Sequence, residues 1–142
     1  MTEKVDSRTL ICHIQSLDKV PAIYEVIDKC SAFTTLPDVD KFKRAVIQRE
    51  MIETTGIGHG IAIAHGKIQN LNDVKVGLGL SECGIEYFAK DGKPVHFLFV
   101  IASSPTKQFD YMWLYHRSVK YGCKYLAQNI RDNRQHVDLR EK

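Results

Sequence analysis

The sequence lacks the features that would assign it to several specialised classes of protein. Its four cysteines stand far apart and form no Cys-x-x-Cys pair, which excludes zinc-ribbon and thioredoxin-like patterns. No stretch approaches the roughly 20 apolar residues of a membrane-spanning helix, and the N-terminus has no apolar core of signal-peptide length. We therefore predict a cytoplasmic protein with reduced thiols and no membrane insertion.

The sequence also lacks a concentration of charge of one sign. Its 20 Lys and Arg residues against 17 Asp and Glu residues give a formal net charge of +3. Nucleic-acid binders gather basic side chains along one face, and the most basic segment here, residues 131–142, also carries acidic residues. Phe109 and Trp113 fall at helical spacing, so we predict that they belong to the core and do not stack on bases. We predict no nucleic-acid partner.

What the sequence does contain is an ordinary globular composition. The 142 residues are 44% hydrophobic and 26% charged, with no internal repeat and no linker rich in Pro, Gly or Ser. This length and composition predict one domain over residues 1–142. Such a domain buries enough surface to fold without a disulfide or a metal.

Two helix signals precede a glycine-rich segment, and strand signals follow it. Asp18 is predicted to cap a first helix, and Asp38 precedes a second apolar stripe that ends near Arg49. A turn is predicted at Asp91-Gly92, and a long helical stretch is predicted from Thr106. Strands are predicted at residues 61–64, 74–80 and 95–102. Helices at both ends with strands between them predict a layered α/β domain.

The glycine-rich segment, residues 54–67, matches neither common nucleotide-binding loop. A Rossmann fingerprint needs a glycine where Ile61 stands, and a Walker A loop needs Ser or Thr where Ile68 follows Lys67. Both loops also connect a strand to a helix, whereas this segment follows a predicted helix and leads into a predicted strand.

His65 is the candidate nucleophile of this segment. An imidazole held at the end of a buried strand can attack a phosphoryl group through one ring nitrogen, while a hydrogen bond to the other nitrogen fixes the tautomer. Gly66 and the other glycines let backbone N–H groups approach closely, and Arg49 is a candidate cation for the phosphoryl oxygens. This chemistry requires no metal and no cofactor. Spacing alone leaves two alternatives: a structural histidine, or a metal site of His59 and His65 that would need at least one more ligand.

The order of these residues resembles one family, the enzyme IIA domain of the bacterial sugar phosphotransferase system in its fructose/mannitol and nitrogen-regulatory branch. The resemblance covers roughly residues 8–130. The residues that carry it are Arg49-Glu50, Thr55-Gly56-Ile57-Gly58, Gly60-Ile61-Ala62-Ile63, His65-Gly66-Lys67 and Asp91-Gly92-Lys93-Pro94-Val95.

The resemblance implies a three-layer α/β/α sandwich with a mixed central sheet. It also implies that His65 accepts phosphate from an HPr-like phosphocarrier protein and that Arg49 is the active-site arginine. The next partner would be a IIB domain or a regulated transporter or kinase. The alternative is a non-catalytic regulatory module that keeps the fold and binds partners without turnover.

Three positions depart from the family's pattern. Ala64 replaces the proline that precedes the histidine, and we expect this change to loosen the strand exit. His59 stands where the family has asparagine or glutamate, and Asp110 stands where many members carry a second histidine. We hypothesise that a cationic His59, paired with Asp110, supplies the charge stabilisation of that histidine. The alternative is that His59 points to solvent from a loop.

Overall fold

The structure, a computed structural model, describes residues 11–106. In chain order the elements are β1 (Ile11–His13), α1 (Lys19–Lys29), a 3-10 turn (Ser31–Phe33), α2 (Val39–Ile52), β2 (Gly56–Gly58), β3 (Ile61–Lys67), β4 (Lys75–Ile85) and β5 (Val95–Ser103). The helix predicted after Thr106, and with it Asp110, lies outside the described residues.

Both α-helices begin where the sequence predicts. Asp18 and Asp38 are the N-cap residues, and the Asp38 carboxylate accepts a 3.0 Å hydrogen bond from the backbone N–H of Lys41. That bond satisfies one of the amide groups that a helix start leaves without a partner. The buried face of α2 is a stripe with a spacing of four residues: Phe42, Val46 and Glu50.

The strands form one mixed sheet in the order β1-β4-β5-β3-β2. β1 is parallel to β4, and β3 is parallel to β5, whereas β4 is antiparallel to β5 and β2 is antiparallel to β3. The α/β class that the sequence predicts and the mixed sheet that the resemblance implies are therefore confirmed. β2 was not predicted from the sequence, and β3, β4 and β5 are longer than predicted.

The two described helices pack on one face of the sheet. Gly66 of β3 approaches Val46 of α2, and Gly79 of β4 approaches Val26 of α1. The opposite face is buried as well, because Ile63 and Phe99 are at most 2% exposed. Burial on both faces is what a three-layer sandwich requires. No helix within residues 11–106 has the combination of length and hydrophobicity needed to cross a membrane.

Ala64 does not interrupt its strand. β3 keeps parallel register with β5 from Ile61 opposite Phe97 to Lys67 opposite Ser103. Alanine retains the backbone N–H that proline lacks, so it can take part in the ladder. The strand therefore continues past Ala64 to Lys67. The expected loosening of the strand exit stays a prediction.

Gly79 provides a test of the packing between β4 and α1. A Cβ at this position would lie 2.6 Å from Cγ2 of Val26, a stiff β-branched side chain held on α1. We expect Gly79→Ala to lower the free energy of unfolding by about 1–3 kcal/mol through overpacking, as measured by urea denaturation. Glu82→Ala, at an exposed position of the same strand, is the control and should stay within about 0.5 kcal/mol of the wild type. Equal denaturation midpoints for the two variants would contradict the close packing.

Candidate functional site

His65 lies near the carboxyl end of β3, half-buried beside Ile101 of the parallel strand β5. In open α/β sheets, ligand sites form outside the carboxyl ends of parallel strands, where side chains are held from behind and open in front. Alternation along β3 directs His65 to the face opposite α1 and α2, together with Ile61 and Ile63. The structure thus places the predicted nucleophile at a sheet end, as the sequence analysis expected.

One hydrogen bond fixes the tautomer of His65. Its Nδ1 atom lies 3.1 Å from the carbonyl oxygen of Ile63. A carbonyl oxygen only accepts, so Nδ1 carries the proton and donates it, and the lone pair of the neutral ring is on Nε2. Nε2 is therefore the nitrogen that can attack an electrophile.

The surroundings of His65 favour its neutral form. Burial is the main cause that lowers the pKa of His65 below its usual 6.5, and the hydrogen bond to Ile63 opposes this shift. The positive charges of Arg49 and Lys67 lower the pKa further, whereas the carboxylate of Glu50 raises it. A lowered pKa keeps the imidazole unprotonated at neutral pH, which a nucleophile requires.

Two cations, Arg49 and Lys67, act on the same ring. Arg49 is in the last turn of α2, and its Nη1 atom donates a 2.8 Å hydrogen bond to the carbonyl oxygen of Glu53. Lys67 is exposed and follows His65 by two residues on β3, so both side chains leave the same face of the strand. Both positive charges are close enough to lower the pKa of the His65 ring.

Gly66 allows α2 to approach β3 closely. A Cβ at position 66 would lie 3.0 Å from Cγ2 and 3.1 Å from the backbone nitrogen of Val46. Any side chain there would push α2 away from the strand and displace Arg49 relative to His65. The structure thus gives a steric reason for glycine at position 66. The role that the sequence analysis gave to Gly66, close approach of its backbone N–H to a phosphoryl group, stays a prediction.

A buried carboxylate, Glu50, holds the segment that precedes β3. Its Oε2 atom accepts a 2.8 Å hydrogen bond from the backbone N–H of Thr55, and its Oε1 atom accepts a 2.5 Å bond from the Thr55 hydroxyl. Tyr87 lies just after β4, and its hydroxyl donates a 3.2 Å hydrogen bond to the same Oε1 atom. Burial, followed by the charge of Glu50, raises the pKa of Tyr87 well above its usual value, so Tyr87 remains a donor.

Lys19, the first residue of α1, completes this network. Its Nζ atom lies 3.0 Å from Oε2 of Glu50 and 4.7 Å from the centre of the Tyr87 ring. Burial of an ion pair is favourable only when the remaining donors and acceptors are satisfied. Here the two carboxylate oxygens take bonds from Lys19, Thr55 and Tyr87, so the start of α1, the end of α2 and the exit of β4 are joined at one point.

The structure does not bring His59 beside His65. His59 and Gly60 form the turn between β2 and β3, both with positive φ (59° and 74°), and the backbone N–H of His59 donates to Asp91 at 3.2 Å. His59 precedes Ile61, and the four residue steps along β3 from Ile61 to His65 span about 13 Å at roughly 3.3 Å per residue. His59 is exposed and lies at the other end of β3, so this geometry does not support the hypothesis that its charge stabilises a group on His65.

The remaining predicted site features concern Asp110 and metals. Asp110 lies outside the described residues, so its proposed pairing with His59 stays a hypothesis without a structural description. Among residues 11–106, no three His, Cys, Asp or Glu side chains are grouped as a metal site would need. The separation of His59 from His65 removes the pair on which a metal site was considered.

Glu50 and its partners were not identified as site residues from the sequence. Glu50 occupies the third position of an otherwise apolar stripe on α2, after Phe42 and Val46. An acid in such a row is a signal, since a buried carboxylate needs several hydrogen-bond donors. Glu50 also belongs to the Arg49-Glu50 pair of the family resemblance. Nothing in the local sequence indicates that those donors come from residues as distant as Lys19 and Tyr87.

Comparison with known proteins gives a family and two groups of relatives. The family described as "Phosphoenolpyruvate-dependent sugar phosphotransferase system, EIIA 2" matches residues 4–113. The chain is 34% identical over 104 residues to the PTS system fructose-specific EIIABC component of Bacillus subtilis, covering 73% of this chain and 16% of that protein. It is 27% identical over 101 residues to the nitrogen regulatory protein of Bradyrhizobium diazoefficiens, covering 71% and 65%. The chain thus spans less than two thirds of the length of these curated relatives.

Solved structures share the fold at low sequence identity. The nitrogen regulatory protein IIA-Ntr from Neisseria meningitidis superposes with a TM-score of 0.65 at 18% identity, covering 87% of this chain and 85% of that one. In the complex of enzyme IIAMTL with phosphorylated enzyme IIBMTL from Escherichia coli, the matching chain gives a TM-score of 0.62 at 12% identity, covering 86% and 85%. These likenesses establish the fold.

Removal of the Tyr87 hydroxyl tests the Glu50 network. We expect Tyr87→Phe to lower the free energy of unfolding by about 1–3 kcal/mol, because a buried carboxylate loses a donor. Tyr24→Phe, on the half-buried Tyr24 of α1, is the matched control and should change it by less than about 0.5 kcal/mol. Chemical denaturation measures both, and a control as destabilised as Tyr87→Phe would argue against the network.

The electrostatics of His65 can be measured by NMR titration of its ring protons. We expect a pKa below 6.5, and we expect Arg49→Gln to raise it, since a positive charge that disfavours the imidazolium is removed. Arg44→Gln removes an exposed arginine from the same helix and should leave the pKa of His65 unchanged. Because the folded protein binds this proton less readily than the unfolded chain, the contribution of His65 to stability is present above pH 6.5 and is lost as the pH falls below it. A pKa for His65 above 6.5 would contradict the assignment of burial as the dominant cause.

Proposed function

Because the chain belongs to the EIIA 2 family of the phosphoenolpyruvate-dependent sugar phosphotransferase system, we propose that it carries a phosphoryl group on His65. The group comes from an HPr-like phosphocarrier protein. It then passes to a IIB domain, or it stays on His65 as a signal read by a regulated transporter or kinase. The observation that carries the proposal is a half-buried imidazole whose Nδ1 is held by Ile63 and whose Nε2 bears the lone pair.

The proposed reaction is a displacement at phosphorus. The lone pair of Nε2 forms the new N–P bond as the bond from phosphorus to the donor breaks, and the product is a phosphoramidate on the imidazole. The proton on Nδ1 remains hydrogen-bonded to Ile63, so the ring keeps its orientation throughout. Handing the group to an acceptor reverses these bond changes at His65.

The protein's contribution is position and charge. In phosphoryl transfer, most of the stabilisation comes from placing the reactants in line and neutralising the equatorial oxygens. Arg49 and Lys67 provide the positive charge, and the contact of Gly66 with Val46 sets the distance between α2 and β3. These residues perform the transfer without a resident metal or cofactor.

The relatives support two forms of the proposed function. One is named as a fructose-specific transport component and another as a nitrogen regulatory protein. Both forms use the same acceptor histidine, and they differ in what reads the phosphorylated state. On this proposal the chain carries only the phosphoryl group, and the choice of sugar belongs to its transport partners. The cytoplasmic location stays a prediction.

A non-catalytic regulatory module is the alternative, and one experiment separates the two. The full chain is incubated with phosphoenolpyruvate, enzyme I and HPr, and its intact mass is measured. A working carrier gains the mass of one phosphoryl group, in an acid-labile and base-stable linkage. A module that only binds partners keeps its mass while still associating with HPr.

Substitutions assign the label to a residue. We expect His65→Gln to abolish labelling with unchanged circular dichroism, whereas His13→Gln, at an exposed histidine of β1, should label like the wild type. Arg49→Gln should slow labelling by on the order of 10²-fold, as for loss of one preorganised electrostatic partner, with little change in thermal stability. Labelling that persists in His65→Gln on another histidine would refute the site.

A further inference from the structure

Two buried thiols face each other at the edge of the sheet, far from His65 in the sequence. Cys12 is the middle residue of β1, Cys30 is the C-cap of α1, and their Sγ atoms are 3.6 Å apart. A disulfide bond is about 2.05 Å long, so closure needs the two sulfur atoms to move together by roughly 1.5 Å. We propose that Cys12 and Cys30 are a site of reversible thiol oxidation, which closes to a disulfide when the protein meets a hydroperoxide.

The fold gives the two cysteines different access to an oxidant. Within residues 11–106, β1 is an edge strand of the sheet, and Cys12 keeps 9% of its surface exposed. Cys30 has no exposed surface, and its Sγ atom lies 3.1 Å from the place that a Cβ on Gly77 would occupy. An oxidant therefore reaches Cys12 first, because Cys30 is fully buried in the core.

The charges and hydrogen bonds around the two cysteines also favour Cys12 as the thiol that reacts first. The pKa of Cys12 is lowered, mainly because the Cys30 thiol donates a hydrogen bond to it and further because of the charge of Lys29, while burial and Glu25 oppose the shift. Lys29 is held in place, since its Nζ atom donates a 2.9 Å bond to the carbonyl oxygen of His13 and pairs with Glu25. The pKa of Cys30 is raised far above its usual range by that same hydrogen bond and by burial, so it keeps its proton.

The reaction proceeds in two balanced steps. The Cys12 thiolate attacks the outer oxygen of the hydroperoxide, the O–O bond breaks, and the leaving alkoxide or hydroxide takes up a proton, which leaves a sulfenic acid on Cys12. The sulfur of Cys30 then attacks the sulfenic sulfur, and water leaves with the Cys30 proton. In total, two thiols and one hydroperoxide give one disulfide, one alcohol or water molecule from the peroxide, and one water molecule. A dithiol reductant reverses the result.

Closure changes the stability of the fold. The bond would tie β1 to the end of α1 and close the loop from residue 12 to residue 30. A loop of this length restricts the unfolded chain, and we expect the thermal midpoint to rise by about 5–10 °C on oxidation and to return after reduction.

Peptide mapping of the oxidised full chain tests the site directly. The protein is treated with hydrogen peroxide, unfolded in the presence of an alkylating agent, digested without reductant and analysed by mass spectrometry. We expect a peptide pair joined through Cys12 and Cys30, which disappears after dithiothreitol. Cys83 is exposed on β4 and serves as the internal comparison. Recovery of Cys12 and Cys30 in alkylated form, while Cys83 is oxidised, would overturn the proposal.

Two variants check the order of events. In Cys30→Ser the reaction should stop at the sulfenic acid, so dimedone should label Cys12. In Cys12→Ser, dimedone should leave Cys30 unlabelled, because the oxidant no longer meets a reachable thiolate. Dimedone labelling of Cys30 in Cys12→Ser would refute the assigned roles. If either variant fails to fold, as judged by circular dichroism, the wild-type peptide map still decides whether the disulfide forms.

Discussion

The carboxylate of Glu50 is the interaction on which the geometry of the site depends. Its two oxygens take hydrogen bonds from Lys19 at the start of α1, from Thr55 in the segment before β2, and from Tyr87 after β4. A buried carboxylate without such donors would destabilise the fold by several kcal/mol, so these segments must converge for the chain to fold. Since Arg49 is the neighbour of Glu50 on α2, the network also determines where that cation stands relative to β3.

Arg49 of α2 and His65 of β3 start from opposite faces of the sheet, and the position of β3 at the sheet edge explains how the charge of Arg49 affects the His65 ring. β2 pairs with β3 only at Ala62 and Ile61. The last backbone hydrogen bond on that side of β3 runs from the Ile63 N–H to the carbonyl oxygen of Thr55. In the described part of the chain, β3 is thus the edge of the sheet at the level of His65. The Ile63 carbonyl holds the imidazole by a hydrogen bond, and the charge of Arg49 at the end of α2 acts on the ring.

The elements with long periodic patterns were predictable from the sequence. Asp18 and Asp38 signal the two helix starts, and the apolar runs signal β3, β4 and β5, because caps and hydrophobic periodicity are local properties. β2 was not predictable in this way, since its three residues include two glycines and become a strand only by pairing with β3. His65 and Arg49 were found as candidates from a residue pattern, but the face on which His65 lies depends on register with residues more than 30 positions away.

His59 illustrates where reasoning from spacing is misled. Two imidazoles six positions apart across glycines were considered as a metal pair, whereas Ile61 to Lys67 is a continuous strand that carries the two histidines apart. Position 59 needs a left-handed backbone for its turn, and histidine and asparagine both tolerate this conformation better than most residues. A histidine at this position is therefore compatible with the turn between β2 and β3.

The strand order has a consequence for how the chain acquires its structure during synthesis. β5 is the central strand, with β4 and β1 on one side and β3 and β2 on the other, yet it is the last of the five to leave the ribosome. Until Val95 to Ser103 have emerged, the two halves of the sheet have no common strand, and the apolar residues of β3 have no parallel neighbour. Assembly must therefore wait for contacts between distant parts of the chain, which is the situation in which folding is slow and nascent strands are exposed to aggregation.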